Sequence, residues 1–394
     1  MRHSGTSLTL LLACLLAVAG CATSDPAPDP APGPPATPTS TPARAATPAA
    51  PQSEADAAYD RMDARQRVGQ LFMFGVTTTG PSQEMYDELA AQQAGNVFLR
   101  GSSDLGATTT AEVTDRVGTV TTVAGVRPFV SADQEGGNAQ ALKGDGFSEM
   151  PTGVTQGLQD PRDLRADARS WAGELLAAGV NLDLAPVADV VPAEVGAAND
   201  PIGYFRRQYG YTPETASPGV RAFVKGMQKG GVAASAKHFP GLGRATGNTD
   251  SDPTATDPTV RGDAFLEPFA AGVRAGTAFV MVSSATYPGI DPDRRACFSP
   301  LVIRDMLRGD LGFEGVVVSD SFGSASVSPV PPGRRAVRFL EAGGTMVLDT
   351  NYLDAEPMTA AVLARAERDP AFADVVEADV RLVLAAKERF GLLD

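Results

Sequence analysis

The sequence predicts an α/β protein, a closed (β/α)8 barrel of TIM type, from three observations. Eight short apolar runs recur along the chain, longer amphipathic stretches separate them, and polar residues collect where the runs end. Short runs that are apolar throughout suit parallel strands buried on both faces. A strand–helix alternation repeated eight times suits a sheet closed into a ring.

The runs are Leu71–Val76, Asn96–Arg100, Pro128–Asp133, Asn181–Val187, Val232–His238, Ala278–Ser284, Gly315–Asp320 and Thr345–Asp349. Helices are predicted over Arg162–Ala178, Thr215–Gly230 and Pro300–Leu311, where apolar residues recur at helical spacing, and Val375–Phe390 closes the chain as another. Asp133, Asp183, Lys237, His238, Ser284, Asp320 and Asp349 collect toward the C-terminal ends of the runs. In this kind of barrel that end carries the active site.

The chain has 394 residues, and its 33 Lys+Arg against 47 Asp+Glu give a formal net charge of −14. That balance argues against nucleic acid as the main partner, because phosphate binding needs a basic face. It leaves neutral substrates such as sugars open. Two histidines, His3 and His238, cannot build a His-rich metal site, and Cys14, Cys21 and Cys297 cannot build a disulfide framework. No metal and no cofactor is expected.

Arg2 and His3 precede the apolar run Leu8–Ala19, which has the length of a signal-peptide core and is too short to span a bilayer comfortably. The run ends in Val18-Ala19-Gly20-Cys21, a string that resembles the lipobox of bacterial lipoproteins. Residues 1–20 are therefore expected to be a signal peptide, with Cys21 lipidated and the protein held at the extracytoplasmic face of the cell membrane. Residues 21–52 hold that cysteine and a tether dense in Pro, Ala, Thr and Ser, a composition too poor in large apolar residues to fold. The globular domain is predicted over 53–394. Within it Cys297 is a lone thiol, read as a small buried hydrophobe.

Five motifs follow one another through this domain. They are Arg67-Val68-Gly69-Gln70-Leu71-Phe72, Asp133-Gln134-Glu135-Gly136-Gly137, Asn181-Leu182-Asp183-Leu184-Ala185-Pro186-Val187, Lys237-His238-Phe239-Pro240-Gly241 and Gly315-Val316-Val317-Val318-Ser319-Asp320. In this order they resemble the family 3 glycoside hydrolases, specifically the single-domain bacterial β-N-acetylglucosaminidases, over most of Asp63 to Asp394. The resemblance implies a retaining glycosidase of β-linked N-acetylhexosaminides, in cell-wall or glycan turnover, with Asp320 as nucleophile. Such enzymes attack the anomeric carbon with a carboxylate and pass through a glycosyl-enzyme intermediate. It further implies that Asp133 accepts sugar hydroxyls, that Lys237 and His238 donate to them, and that Arg207 contacts the substrate. The neighbouring Arg206 is a second possibility for that place.

The chain also departs from the family. The loop after the fifth strand normally carries a catalytic histidine held by an aspartate two residues earlier. Here Asp250 matches the aspartate and Asp252 stands at the histidine's position. Leu242 replaces another usual histidine, Ser284 stands where a histidine is common, and Asn138 and Ala141 take the places of arginines. Three outcomes stay open: a carboxylate of the loop serves as acid/base, the acid is absent and turnover is slow, or the protein binds sugar without hydrolysing it. Of the two carboxylates, Asp252 is expected to be the acid, with Asp250 supporting it.

Overall fold

The computed structural model describes residues 53–394, and the predicted signal peptide, Cys21 and tether lie outside the described residues. The eight barrel strands are β1 (Phe72–Thr77), β2 (Asn96–Arg100), β3 (Phe129–Ala132), β4 (Leu182–Asp183), β5 (Ala233–Phe239), β6 (Phe279–Val282), β7 (Val316–Ser319) and β8 (Val347–Asp349). Each falls within one residue or so of a predicted run. All neighbouring pairs are parallel, and β1 sits between β8 and β2. The ring closes between β7 and β8: Val318 bridges Met346, and the Ser319 N–H donates to the Met346 carbonyl at 3.0 Å.

The β4 run is shorter than expected because Pro186 has no N–H to give a ladder. Past Asp183 the chain still tracks β5, with Ser235 N–H on Ala185 O at 2.9 Å and Lys237 N–H on Pro186 O at 3.0 Å. The predicted helices are found at Pro161–Ala177, Pro213–Lys229, Leu301–Asp310 and Pro370–Arg389, the third π-helical. The last begins earlier than Val375 because Asp369 caps it, its carboxylate accepting from the Ala371 and Phe372 N–H groups. Such a cap is worth about 1 kcal/mol. One feature was not foreseen: after β6, Thr286–Tyr287 and Asp291–Arg295 form an antiparallel hairpin.

The inside of the barrel is filled by side chains. Phe72, Phe74, Phe129 and Phe279 are fully buried, and Phe129 meets Phe279 edge to face with centroids 5.1 Å apart. Beneath them the final helix plugs the N-terminal end of the ring. Its Lys387 is buried, with Nζ on Gln70 Oε1 at 2.6 Å and on the Gly95 carbonyl at 2.9 Å, just ahead of β1 and β2. Burial holds this ammonium well below its ordinary pKa. Cys297 is free and buried, and burial pushes its thiol upward. Among the described residues no helix is long and apolar enough to cross a membrane.

Candidate active site

A cavity of about 370 Å³ opens at the C-terminal ends of the strands. Seven of the residues singled out in the sequence line it: Asp133, Arg207, Lys237, His238, Leu242, Asp250 and Asp320. Arg100, at the end of β2, lines it as well.

Lys237 and His238 are adjacent in a strand, where neighbours normally point to opposite faces. The pairing of β5 with β6 slips between Ala236 and Phe239, and both side chains border the cavity. Lys237 Nζ lies 2.5 Å from Asp133 Oδ1 and 2.6 Å from Glu135 Oε1. Burial pulls its pKa down, but the two carboxylates outweigh that and raise it, so the ammonium stays charged. His238 Nδ1 sits 2.7 Å from Asp189 Oδ2, so Nε2 is the ring nitrogen left for a ligand. Asp189 also accepts the Leu242 N–H at 2.8 Å, which ties the start of the following loop to the same carboxylate.

Glu135 organises the basic side chains. Arg207 grips it with two bonds, Nε to Oε2 at 2.8 Å and Nη2 to Oε1 at 2.7 Å. Burial pushes the Glu135 pKa up, yet Arg207 and Lys237 overcome it and hold the carboxyl well below its usual range. Two glycines make this possible. Gly136 has φ +99°, and a Cβ there would fall 2.2 Å from the Pro151 carbonyl. At Gly153 a Cβ would fall 2.0 Å from the Arg207 carbonyl, so only glycine lets the Arg207 backbone lie against this turn. Arg206, left open in the sequence, does not line the cavity. Glu135→Gln is expected to cost about 3–5 kcal/mol, because it leaves Arg207 without a carboxylate partner and Lys237 with Asp133 alone. A denaturation midpoint unchanged from wild type would contradict that role.

Asp183 and Asp349 do not line the cavity. Asp183 is fully buried, accepts the Gln134 N–H at 3.0 Å and is driven well above the ordinary carboxylate pKa by burial. Burial likewise raises Asp349 to about 7.

Asp320 follows β7 directly. Its Oδ1 accepts the Ser321 N–H at 2.8 Å, and its own N–H donates to Val282 O at 2.9 Å. Asp250 comes from the loop after β5. It is open to the cavity yet ringed by protein, and this dehydration, followed by the Asp320 charge, raises its pKa.

Asp252 is elsewhere, and the expectation that it is the carboxylate facing the cavity is corrected. Its Oδ1 accepts both the N–H and the hydroxyl of Thr254 at 2.7 Å. Those bonds fold the side chain back over Gly247 and hold its pKa below the usual value, the state of a satisfied turn carboxylate and not of a proton donor. Asp252→Ala is expected to leave kcat/KM within about threefold of wild type, as for surface substitutions generally. A loss of a hundredfold would restore Asp252 to the site.

Glu135 and Asp189 were not foreseen as site residues. Glu135 stood inside a quoted motif, and Asp189 lies two residues beyond another; in each case the signal was a carboxylate beside a strand end. Among the described residues, no group of three or more His, Cys, Asp or Glu side chains is arranged to hold a metal ion.

The profile of the Glycosyl hydrolase family 3 N terminal domain matches residues 64–384. The chain is 37% identical over 250 residues to a beta-hexosaminidase of Stenotrophomonas maltophilia (strain R551-3), covering 60% of this chain and 71% of that protein. To a beta-hexosaminidase of Xanthomonas axonopodis pv. citri (strain 306) it is 34% identical over 290 residues, 71% of this chain and 83% of that one. Among solved structures, a beta-N-acetylhexosaminidase from Beutenbergia cavernae DSM 12333 superposes with a TM-score of 0.80 at 47% identity, over 83% of this chain and 99% of that one. A family 3 beta-N-acetylglucosaminidase from Paenibacillus sp. str. FPU-7 gives 0.73 at 27% identity, over 84% of this chain and 63% of the other. With its barrel, its strand-end cavity and this match over most of its length, the chain belongs to glycosyl hydrolase family 3 and is a glycosidase.

Proposed function

We propose that the protein hydrolyses β-linked N-acetylhexosaminides with retention, using Asp320 as nucleophile and Asp250 as acid/base. One observation carries this reading. Two carboxylates from different loops line one cavity, and the charge of one raises the pKa of the other. Retaining glycosidases need that division of labour, one carboxylate ionised and one holding a proton. The names of the relatives supply the sugar class.

In the first step the free Asp320 oxygen attacks the anomeric carbon. Asp250 gives its proton to the glycosidic oxygen, and the aglycone leaves as an alcohol. In the second step the Asp250 carboxylate takes a proton from water, the hydroxide oxygen bonds to the anomeric carbon, and the bond to Asp320 breaks. Asp133 accepts sugar hydroxyls, and Lys237, Arg207 and His238 Nε2 donate to them. Their ion pairs, to one another and to Glu135 and Asp189, set the geometry before sugar arrives, so little ordering remains to be done on binding.

The test is an NMR time course on an aryl β-N-acetylglucosaminide. The first anomer released is expected to be β. An α-anomer first would overturn retention, and no release together with measurable sugar binding would support the binding-only alternative.

The location is part of the proposal. The basic start, apolar run and small residues ahead of Cys21 support export and lipidation at that cysteine. Acyl chains supply the membrane affinity. Cys21→Ser is expected to move the protein to the soluble fraction, and continued membrane retention of that variant would rule the anchor out.

A further inference from the structure

The loop that bears Asp250 is not free-standing. The segment after β7 runs alongside it and hydrogen-bonds to it twice. Ala325 N–H donates to the Asp250 carbonyl at 3.1 Å, and Ser326 N–H donates to the Thr249 carbonyl at 3.1 Å. This second segment is itself pinned. Ser326 Oγ donates to Ser284 Oγ at 2.7 Å, at the end of β6, and shares a hydrogen with Ser324 Oγ at 2.9 Å. Ser284 and Ser326 are fully buried and Ser324 nearly so. At its start, Phe322 N–H donates to Leu348 O at 2.9 Å, and Ser321 Oγ lies 2.8 Å from Thr350 Oγ1 on the far side of the cavity.

The Asp250 carboxyl, by contrast, has no hydrogen bond to protein among the described residues. Its place is set only through its backbone. Asn248 Oδ1 accepts the Asp250 N–H at 3.1 Å from within the loop. Of the bonds that tie this loop to the barrel, the two from Ala325 and Ser326 are the ones made at Asp250 and its neighbour Thr249.

We propose that Ser326, anchored on Ser284, is a positioning residue for Asp250, holding the loop so that the carboxyl stays aimed at the glycosidic oxygen. The inference rests on the acid/base reading of Asp250. The buried hydroxyl pair fixes Ser326 relative to β6. The Ser326 and Ala325 N–H groups transmit that position to Thr249 and Asp250. Because Ser321 and Phe322, in the same segment, are tied to residues at the β8 end, one short stretch sets Asp320's neighbour and Asp250 together. A donor displaced by about 1 Å loses much of its effect, and the loss falls on the step that needs the proton.

The experiment compares Ser326→Ala and Ser284→Ala with wild type on two substrates, an aryl N-acetylglucosaminide with an acidic phenol and a β-linked disaccharide. Either variant is expected to lower kcat/KM about ten- to a hundredfold on the disaccharide and far less on the aryl substrate. KM is expected to move little, since neither serine touches the sugar pocket. Placed in an Asp250→Ala background, Ser326→Ala is expected to add nothing, because it acts through that carboxyl. Ser326→Thr, which keeps the hydroxyl, is expected to recover part of the loss. Equal losses on both substrates, full additivity with Asp250→Ala, or wild-type behaviour of both alanine variants would each overturn the inference. If Ser326→Ala does not fold, Ser284→Ala carries the same comparison. An Asp250→Ala enzyme indifferent to the leaving group would instead remove the reading on which the inference stands.

Discussion

Asp320→Asn is expected to lower turnover of every β-N-acetylhexosaminide by about 10⁴-fold or more, the scale on which losing a covalent nucleophile is felt. The amide is nearly the size of the carboxylate but cannot form the glycosyl ester. Its oxygen can still take the Ser321 N–H that Asp320 Oδ1 now accepts, so the end of β7 keeps its shape. Sugar binding is therefore expected to survive, because Lys237 is held by Asp133 and Glu135, Arg207 by Glu135 and His238 by Asp189, none of them through Asp320. Calorimetric titration with N-acetylglucosamine reads binding, and aryl glycoside release reads chemistry. Turnover within tenfold of wild type would mean that another group attacks the anomeric carbon.

Removing Asp250 is the second large effect, and its signature is selectivity. Loss of a general acid/base costs about 10²- to 10⁴-fold where the proton is needed. Asp250→Ala is expected to lose most with disaccharides, whose alkoxide leaving group needs protonation. With an acidic phenol the first step proceeds unaided, and the second, in which water must be deprotonated, becomes limiting. Azide attacks without giving up a proton, so it is expected to accelerate the variant on aryl substrates and yield the β-glycosyl azide. The pH profile supplies an independent check. Burial and then the Asp320 charge raise the Asp250 pKa, so the acid keeps its proton at higher pH than an ordinary aspartate. As pH rises through that pKa the donor is lost and kcat/KM falls, and this alkaline limb is expected to vanish in Asp250→Ala. A limb that persists unchanged would assign it to another group.

The barrel was legible in the sequence because its strands are buried on both faces. Most therefore read as short, largely apolar runs, of which Val316-Val317-Val318 is the clearest. The hairpin after β6 was not legible, since Asp291-Pro292-Asp293-Arg294-Arg295 has the composition of a loop and pairs only through its backbone. The gathering of Asp133, Lys237, His238 and Asp320 followed from their places at strand ends. The choice between Asp250 and Asp252 could not follow, because a two-residue turn onto Thr254 decides it. Residue type at an aligned position says what a side chain is, while local hydrogen bonding says where it points. Arg207 over Arg206 is a similar case. The winner is the arginine whose guanidinium meets Glu135, a contact 72 residues distant in sequence.

The plug of Lys387 at the lower end of the ring has a consequence for traffic. With that end covered and the ring filled by Phe72, Phe74, Phe129 and Phe279, the cavity at Asp320 opens on the C-terminal face. On the proposed double displacement the sugar stays bonded to Asp320 while the departing alcohol clears that one entrance. Water can take its place beside Asp250 only afterwards, and any alcohol that arrives first competes for the same position. At high concentration of an acceptor sugar, a dead-ended vessel of this kind turns from cutting glycosidic bonds to exchanging them.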